Sequence, residues 1–250
     1  MRMQITLTPS ESKRLIAKGV MALPSVKKAL KDHTIILSTG TTDAFLVEEM
    51  IGVNIEKKST YTVGVIADGL TGETNEADRI PPYMVTKGRA QPQDVHWKTY
   101  LPDMKPGDVF IKGGNAVDHT GLAAVLAANN MAGTVGAAWG PVMQRGVEFI
   151  IPIGLEKLVP DVREAVEFLA GAPVDTSLGN PTGLMPVLGA TVVTEITALD
   201  LLYGLKAKCI AAGGIAGSEG SVVLVADGPE SNVKKAMEEM KNIKGEPQVG

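Results

Sequence analysis

Several residue types that often reveal function are scarce in this chain of 250 residues. It has one cysteine, Cys209, which excludes an internal disulfide and any thiolate cluster for a metal. Cys209 lies in the apolar stretch AKCIAAGG, where we expect a buried structural thiol rather than a nucleophile. We predict neither a bound metal nor a cofactor.

Aromatic residues and an excess of positive charge are also missing. Aromatic residues make up 4% of the chain, and 28 acidic residues outnumber 24 Lys and Arg residues, for a formal net charge of -4. Nucleic-acid binding usually relies on a basic face and on aromatic side chains that stack on bases. Nucleic acid is therefore not an expected partner.

Long hydrophobic runs are absent as well. No apolar stretch approaches the roughly 18 residues of a membrane span, and the stretch MRMQITLTPSESKR lacks the apolar core of a secretory signal. We therefore expect no membrane association and a cytoplasmic location. With 44% hydrophobic residues, the chain is long enough to bury one or two cores.

Apolar strands alternate with helical patterns through most of the chain. We predict strands in TIILS, YTVGVIADG, YMVTKGRA, PGDVFIK and VEFIIPIG, and helices in DAFLVEEMIG, LAAVLAANN and GTVGAAWGPVMQRG. We also expect two short helices, interrupted at Pro24, within residues 9–31, and a helix at residues 161–170. Such alternation is typical of an α/β fold with an open, mostly parallel sheet and helices on both faces. We predict this domain for residues 1–189.

From residue 190 the order of elements changes. A strand, a helix, two strands (AKCIAAGG and SVVLVADG), a helix (ESNVKKAMEEMKNI) and a short final strand follow one another. This β-α-β-β-α-β order is that of ferredoxin-like α+β domains. We predict such a domain for residues 190–250, and a homo-oligomer is compatible with the sequence.

A polar cluster follows the first strand of the α/β domain. Its members are one glycine and four hydroxyl-bearing residues: Ser38, Thr39, Gly40, Thr41 and Thr42. In a parallel sheet this loop lies at the carboxyl edge, where free N–H groups and the positive end of the next helix favour an anion. The simpler alternative is that Thr41 or Thr42 caps the helix and the others form a turn.

A second strand ends in a similar way, in the stretch FIKGGNAVDHTG. Lys112 suits a phosphate or carboxylate, and Gly113 and Gly114, followed by Asn115, allow a ligand to approach the backbone. Asp118 could act as a general base if it is partly desolvated. The alternative is a tight turn in which Asp118 or Thr120 caps the next helix and Lys112 lies in solvent.

Two further segments contain weaker candidates. Gly133, Thr134 and Gly136 precede or begin a helix, where they either close the far side of a pocket or allow close packing. Glu73 and Glu76 lie in a long acidic loop and are candidate site residues by position alone. Solvated loop acids are the more common interpretation.

The two strand-end stretches resemble the NagB/RpiA/CoA-transferase-like superfamily. STGTTDAFLVEE is similar to the phosphate loop of ribose-5-phosphate isomerase A, and FIKGGNAVD is similar to its lysine-glycine segment and to lactate-utilisation-type domains. The resemblance implies that Thr39, Gly40, Thr41 and Thr42 bind phosphate and that Lys112 and Gly113 contact the substrate. It also implies a ferredoxin-like domain beside the sheet.

The chain departs from the isomerase pattern at two places. An Asp-Gly-Ala-Asp run before the lysine and a glutamate in the following helix are both missing. Our hypothesis is an isomerase-like enzyme for a small phosphorylated or carboxylated metabolite, in which Lys112 neutralises charge and Asp118 moves a proton. The alternative is a non-catalytic ligand-binding or regulatory protein with the same anion pocket.

Overall fold

The computed structural model describes residues 1–249 and has a mixed α/β fold. Its α-helices are α1 (Pro9–Ala22), α2 (Pro24–Asp32), α3 (Thr41–Ile51), α4 (Gly133–Gln144), α5 (Val162–Leu169), α6 (Glu195–Tyr203) and α7 (Glu230–Ile243). Its strands are β1 (Arg2–Leu7), β2 (Thr34–Leu37), β3 (Gly64–Ala67), β4 (Leu70–Glu73), β5 (Tyr83–Thr86), β6 (Arg89–Ala90), β7 (Val109–Ile111), β8 (Ala116–Val117), β9 (Ala123–Ala127), β10 (Glu148–Pro152), β11 (Gly183–Pro186), β12 (Thr191–Val193), β13 (Lys206–Gly213) and β14 (Ser221–Asp227).

The largest sheet has six strands in the order β12-β10-β7-β2-β5-β6. The four strands β2, β7, β10 and β12 are parallel, whereas β5 pairs antiparallel with β2, and β6 pairs antiparallel with β5. The sheet is therefore mixed, with a parallel half. The carboxyl ends of four neighbouring strands meet at one edge of that half.

Hydrophobic packing covers both faces of the parallel half. Ile35 and Leu37 of β2 belong to one core together with residues of α1, α3 and α6, whereas Ile36 belongs to a second core with α4. In the second core the rings of Phe110 and Phe149 meet edge to face, with centroids 5.1 Å apart. Burial on both faces explains why these strands are continuous apolar runs rather than alternating ones.

Several predicted elements are confirmed. Pro24 separates α1 from α2, and α3 ends at Gly52, whose φ of 70° is the left-handed conformation that glycine adopts without strain. The predicted strands of β2, β7 and β10 and the helices of α4, α5 and α7 are also present. None of the helices within residues 1–249 is long and apolar enough to cross a bilayer.

Two predictions of element type are wrong. The stretch LAAVLAANN, predicted as a helix, contains the strand β9, which pairs with β8 and β11. Alanine favours helices, but here pairing with distant β11 overrides that preference. The stretch YTVGVIADG, predicted as a single strand, instead spans the end of a short 3-10 turn and β3, which forms a two-stranded hairpin with β4 outside the large sheet.

The ferredoxin-like domain predicted for residues 190–250 is not confirmed. Its first strand, β12, pairs with β10 in the large sheet, and its place beside β14 is taken by the N-terminal strand β1. No strand follows α7 within the described residues. The resulting small sheet has the order β1-β14-β13, and one hydrophobic core joins it to the large sheet. The boundary between residues 189 and 190 stays a prediction.

Candidate functional site

A cavity of about 320 Å³ opens at the carboxyl ends of β2 and β7. This first cavity is lined by the loop after β2, the loop after β7, the β3–β4 hairpin, the end of β9 and the start of α4. Its volume lies near the lower end of the range for small-molecule sites, roughly 300–1,000 Å³. The position is the one at which open α/β sheets bind ligands.

The loop after β2 is held by main-chain hydrogen bonds and by one tyrosine. The N–H of Ser38 donates to the carbonyl of Ile111 at 2.9 Å, and the N–H of Gly40 donates to the carbonyl of Tyr61 at 2.8 Å. The buried Tyr61 hydroxyl in turn donates to the carbonyl of Leu37 at 2.8 Å. These bonds fix the loop with its following helix pointing at the cavity.

The hydroxyls of this loop do not cap α3. The residue at the N-cap position is Gly40, so no side chain satisfies the first N–H groups of the helix. Thr39, Gly40, Thr41 and Thr42 line the cavity, and the Thr42 hydroxyl oxygen is buried without a hydrogen-bond partner among residues 1–249. Ser38 is buried beneath the loop, and its hydroxyl oxygen also lacks a partner within the described chain.

The loop after β7 brings Lys112, Gly113, Gly114 and Asn115 to the same cavity. The ammonium group of Lys112 makes no hydrogen bond or ion pair with any other residue of the part described, 1–249. Its withdrawal from water lowers the pKa of Lys112, an effect that nearby Asp43 partly opposes. An unpaired cation in a partly buried position is costly, and an anionic ligand would relieve that cost.

Gly114 and Asn115 have structural roles at this loop besides lining the cavity. A Cβ atom on Gly114 would lie 2.8 Å from Ile153 Cδ1, so a side chain here would require Ile153 to shift. Asn115 Oδ1 accepts a hydrogen bond from the N–H of Leu126 at 3.1 Å, which ties the loop to β9. The loop is therefore set in place before any ligand arrives.

Asp43 joins the two loops, and the sequence analysis did not single it out. It is completely buried in the first turn of α3, and its Oδ2 accepts a hydrogen bond from the N–H of Gly113 at 2.9 Å. Burial raises the pKa of Asp43 to about 6, against the attraction of Lys112 and the bond from Gly113. An acid in the first turn after a cluster of hydroxyls was the available signal.

Lys157 is a second cation of the site that the sequence analysis missed. It follows β10, lines the cavity, and donates a hydrogen bond from Nζ to the carbonyl of Gly114 at 2.8 Å. Burial lowers the pKa of Lys157 to about 8, although Glu156 and Asp43 attract the proton. The available sequence signal was the position of Lys157 after a strand, because the carboxyl ends of parallel strands lie at the same edge of the sheet.

Asp118 and His119 lie outside the cavity wall. Asp118 Oδ1 accepts bonds from the N–H and hydroxyl of Thr120 at 2.8 and 2.6 Å, and its Oδ2 accepts from the N–H of Val162 at 3.0 Å. Burial would raise the pKa of Asp118, but these bonds lower it below its ordinary value. Asp118 is therefore a structural brace between a turn and α5, and the structure does not bring it to Lys112.

Comparison of the sequence with protein-family models finds no match, and a search of curated proteins finds none. The chemistry of the site must therefore be inferred from its geometry. Within residues 1–249, no group of three or more His, Cys, Asp or Glu side chains is arranged to hold a metal ion.

The weaker candidates divide between the cavity and other places. Gly133 and Thr134 line the cavity, whereas a Cβ atom on Gly136 would overlap the carbonyl of Met131, which indicates close packing. Glu73 lies on the cavity wall, with an ion pair to Arg79 at 3.2 Å. Glu76 is exposed and does not line the cavity.

Cys209 is only partly buried rather than fully buried as predicted. Its Sγ hydrogen-bonds to the carbonyl of Ala211 at 3.4 Å, beside an irregularity in β13. Burial raises the pKa of the thiol, so a reactive thiolate is disfavoured.

Proposed function

We propose that the protein binds a small phosphorylated or carboxylated metabolite in the first cavity. The observation that carries the proposal is the unpaired ammonium group of Lys112, which lies on the cavity wall together with the uncapped start of α3. A helix N-terminus with free N–H groups and a nearby lysine together favour a bound anion.

Two further features support an anion rather than a neutral ligand. Lys157 adds a second cation to the wall, and the pKa of nearby Asp43, raised by burial to about 6, keeps that carboxyl group partly neutral near that pH. The Thr42 hydroxyl, buried and without a partner among the described residues, is a donor available to a ligand oxygen.

The resemblance to the NagB/RpiA/CoA-transferase-like superfamily agrees with this ligand class and is itself part of the proposal. Its two motifs, at Thr39–Thr42 and at Lys112–Gly113, are the loops that line the cavity. The ferredoxin-like domain, the cytoplasmic location and self-association stay predictions.

A second candidate function is an isomerase-like enzyme working in the same cavity. The observation that favours it is the position of Lys112 on the cavity wall near buried Asp43, because withdrawal from water there lowers the pKa of Lys112 and suits a lysine that delivers a proton to a substrate oxygen. In this candidate Asp43 replaces Asp118 as the acid that acts with the lysine. Asp43 acts through Lys112 and Gly113, because its own carboxylate is buried.

Isothermal titration with inorganic phosphate and with ribose 5-phosphate tests the binding proposal. We expect measurable binding by the wild type and a loss of about 100-fold in affinity in Lys112→Met, since a charge-assisted bond is worth about 1.5–3 kcal/mol. Lys28→Met removes an exposed lysine from α2 and should leave the affinity unchanged. Equal affinities in all three proteins would contradict the proposal.

The same sample distinguishes the two candidate functions. After incubation with the wild type, ribose 5-phosphate should be recovered unchanged if the protein only binds it. Conversion to a ketose phosphate, detected by NMR and abolished in Lys112→Met, would support the enzyme.

A further inference from the structure

A second cavity of about 590 Å³ adjoins the first and has no role in the proposed function. The two share part of their walls: Ala127, Ala128, Asn129, Ala132 and Thr182 line both. The end of β9 and the turn before α4 therefore lie between the two spaces and border both.

The character of the second cavity differs from that of the first. Leu169, Val174, Leu184 and Met185 are the large apolar residues that line it, and alanine and proline make up most of the rest. None of the residues from 1 to 249 that line it carries a charge. The first cavity, in contrast, has two lysines and one glutamate on its wall. Charged residues therefore line the first cavity and, within the described residues, not the second.

We propose that the second cavity is a subsite for an apolar group carried by the anionic ligand. The substrate class is then an organic phosphate or carboxylate with an aliphatic substituent, bound with its anion at Lys112 and its apolar part against β11. This inference rests on the proposed function, because the first cavity supplies the anchor.

The shared wall supports a single ligand rather than two separate ones. Small side chains stand where the spaces meet, and Asn129 and Thr182 offer polar atoms at the junction, where a ligand changes from polar to apolar. A sugar phosphate alone would leave the leucine, valine and methionine side chains of the second cavity exposed to water. An aliphatic group covers that surface, and its burial is favourable in proportion to the area removed from water.

Titration with a series of n-alkyl phosphates, from methyl to octyl, tests the inference. We expect the affinity to rise with chain length by up to about fourfold for each methylene that becomes buried, and then to level off when the cavity is full. Methyl phosphate reports on the first cavity alone. If methyl phosphate binds and the longer chains bind no better, this inference is wrong and the proposed function stands.

Two matched variants distinguish binding of the alkyl chain in the second cavity from nonspecific hydrophobic binding elsewhere. Val174→Asp places a charge in the second cavity at a side chain that is 43% exposed, whereas Ile215→Asp makes the same change of charge at a residue that is 82% exposed and lines neither cavity. Val174→Asp should abolish the rise along the series and change the affinity for methyl phosphate by less than about threefold. Ile215→Asp should bind the whole series like the wild type.

Two outcomes would overturn the inference or its foundation. A chain-length dependence that persists in Val174→Asp would mean that the alkyl groups bind elsewhere. Failure of every alkyl phosphate to bind the wild type, together with equal affinities of the wild type and Lys112→Met for inorganic phosphate, would overturn the proposed function as well.

Discussion

Asp43 and Glu195 are two buried acids with the same position in the fold and different surroundings. Each lies in the first turn of a helix that follows a parallel strand, α3 after β2 and α6 after β12. Each accepts a hydrogen bond from the N–H of a neighbouring strand-end loop, Gly113 for Asp43 and Leu155 for Glu195. Burial raises the pKa of Asp43 to about 6 and that of Glu195 to about 7.

The surroundings of the two acids explain why only one of them marks a binding site. Both oxygens of Glu195 lie within 3.2 Å of the N–H of Leu155, Ser12 adds a side-chain hydrogen bond, and neighbouring Glu156 is paired with Lys13 at 2.7 Å. Asp43 leaves Oδ1 without a partner among the described residues and stands near the unpaired Lys112. A buried acid can thus be fully hydrogen-bonded and serve stability, as Glu195 is, or keep one oxygen unpaired beside a binding site, as Asp43 does. The unpaired Lys112 near Asp43 distinguishes the two cases.

The largest effect is expected from removing the carboxylate of Glu195. Glu195→Ala should lower the free energy of unfolding by about 3 kcal/mol, because the buried N–H of Leu155 loses its partner and a void remains. The affinity for phosphate should stay within about twofold of the wild type. Urea unfolding measures the stability, and Asp200→Ala, at an exposed position of the same helix, is the control. Equal stabilities of the two variants would refute the role of Glu195.

A smaller effect is expected from displacing the carboxylate of Asp43 without removing it. A Cβ atom on Gly40 would lie 2.5 Å from Asp43 Oδ2, so Gly40→Ala should push the carboxylate away from the N–H of Gly113. We expect a loss of about 1–2 kcal/mol in the free energy of unfolding. In Gly113→Ala the new atom would be 3.4 Å from the same oxygen, an ordinary contact, and the loss should be smaller. Thermal unfolding compares the two, and a reversed order would contradict the geometry.

The smallest effect is the pH dependence of anion binding. As the pH falls from 7 to 5, Asp43 takes up a proton and loses its charge, so Lys112 attracts an anion more strongly. Affinity for sulfate, whose own charge is constant in this range, should rise by about fivefold. Asp43→Asn should remove the rise, and Glu73→Gln, at the acid that lines the cavity wall, should retain it. An unchanged rise in Asp43→Asn would show that another group controls binding.

The sequence predicted the loops of the site better than its buried charged residues. The loops at 38–42 and 112–115 were found because hydroxyls, glycines and a lysine follow buried strands, and parallel pairing brings such loops together. Asp43 and Lys157 were missed because their importance comes from burial and from contacts 70 and 43 residues away along the chain. Asp118 was chosen as a base by residue type. Its bonds to Thr120 agree with the tight-turn alternative, whereas its bond to Val162, 44 residues away, has no local signal.

The fold was predictable where local pattern and tertiary pairing agree. The end of a helix such as α3, which stops before Gly52, is determined by a few local residues. The element order from residue 190 onwards suggested a separate domain, yet β1, at the other end of the chain, completes the small sheet by pairing with β14. No local sequence pattern predicts that distant partner strand. The same reason accounts for β9, whose alanines are held extended by β11.

Anomalous X-ray scattering from crystals soaked in tungstate tests most directly that Lys112 and the start of α3 form an anion site. The account predicts a tungsten peak in the first cavity, with tungstate oxygens about 3 Å from Lys112 Nζ and from main-chain N–H groups in the first turn of α3. Lys112→Met crystals should lack this peak. Wild-type crystals with an open cavity and tungsten bound only at other surfaces would contradict the account.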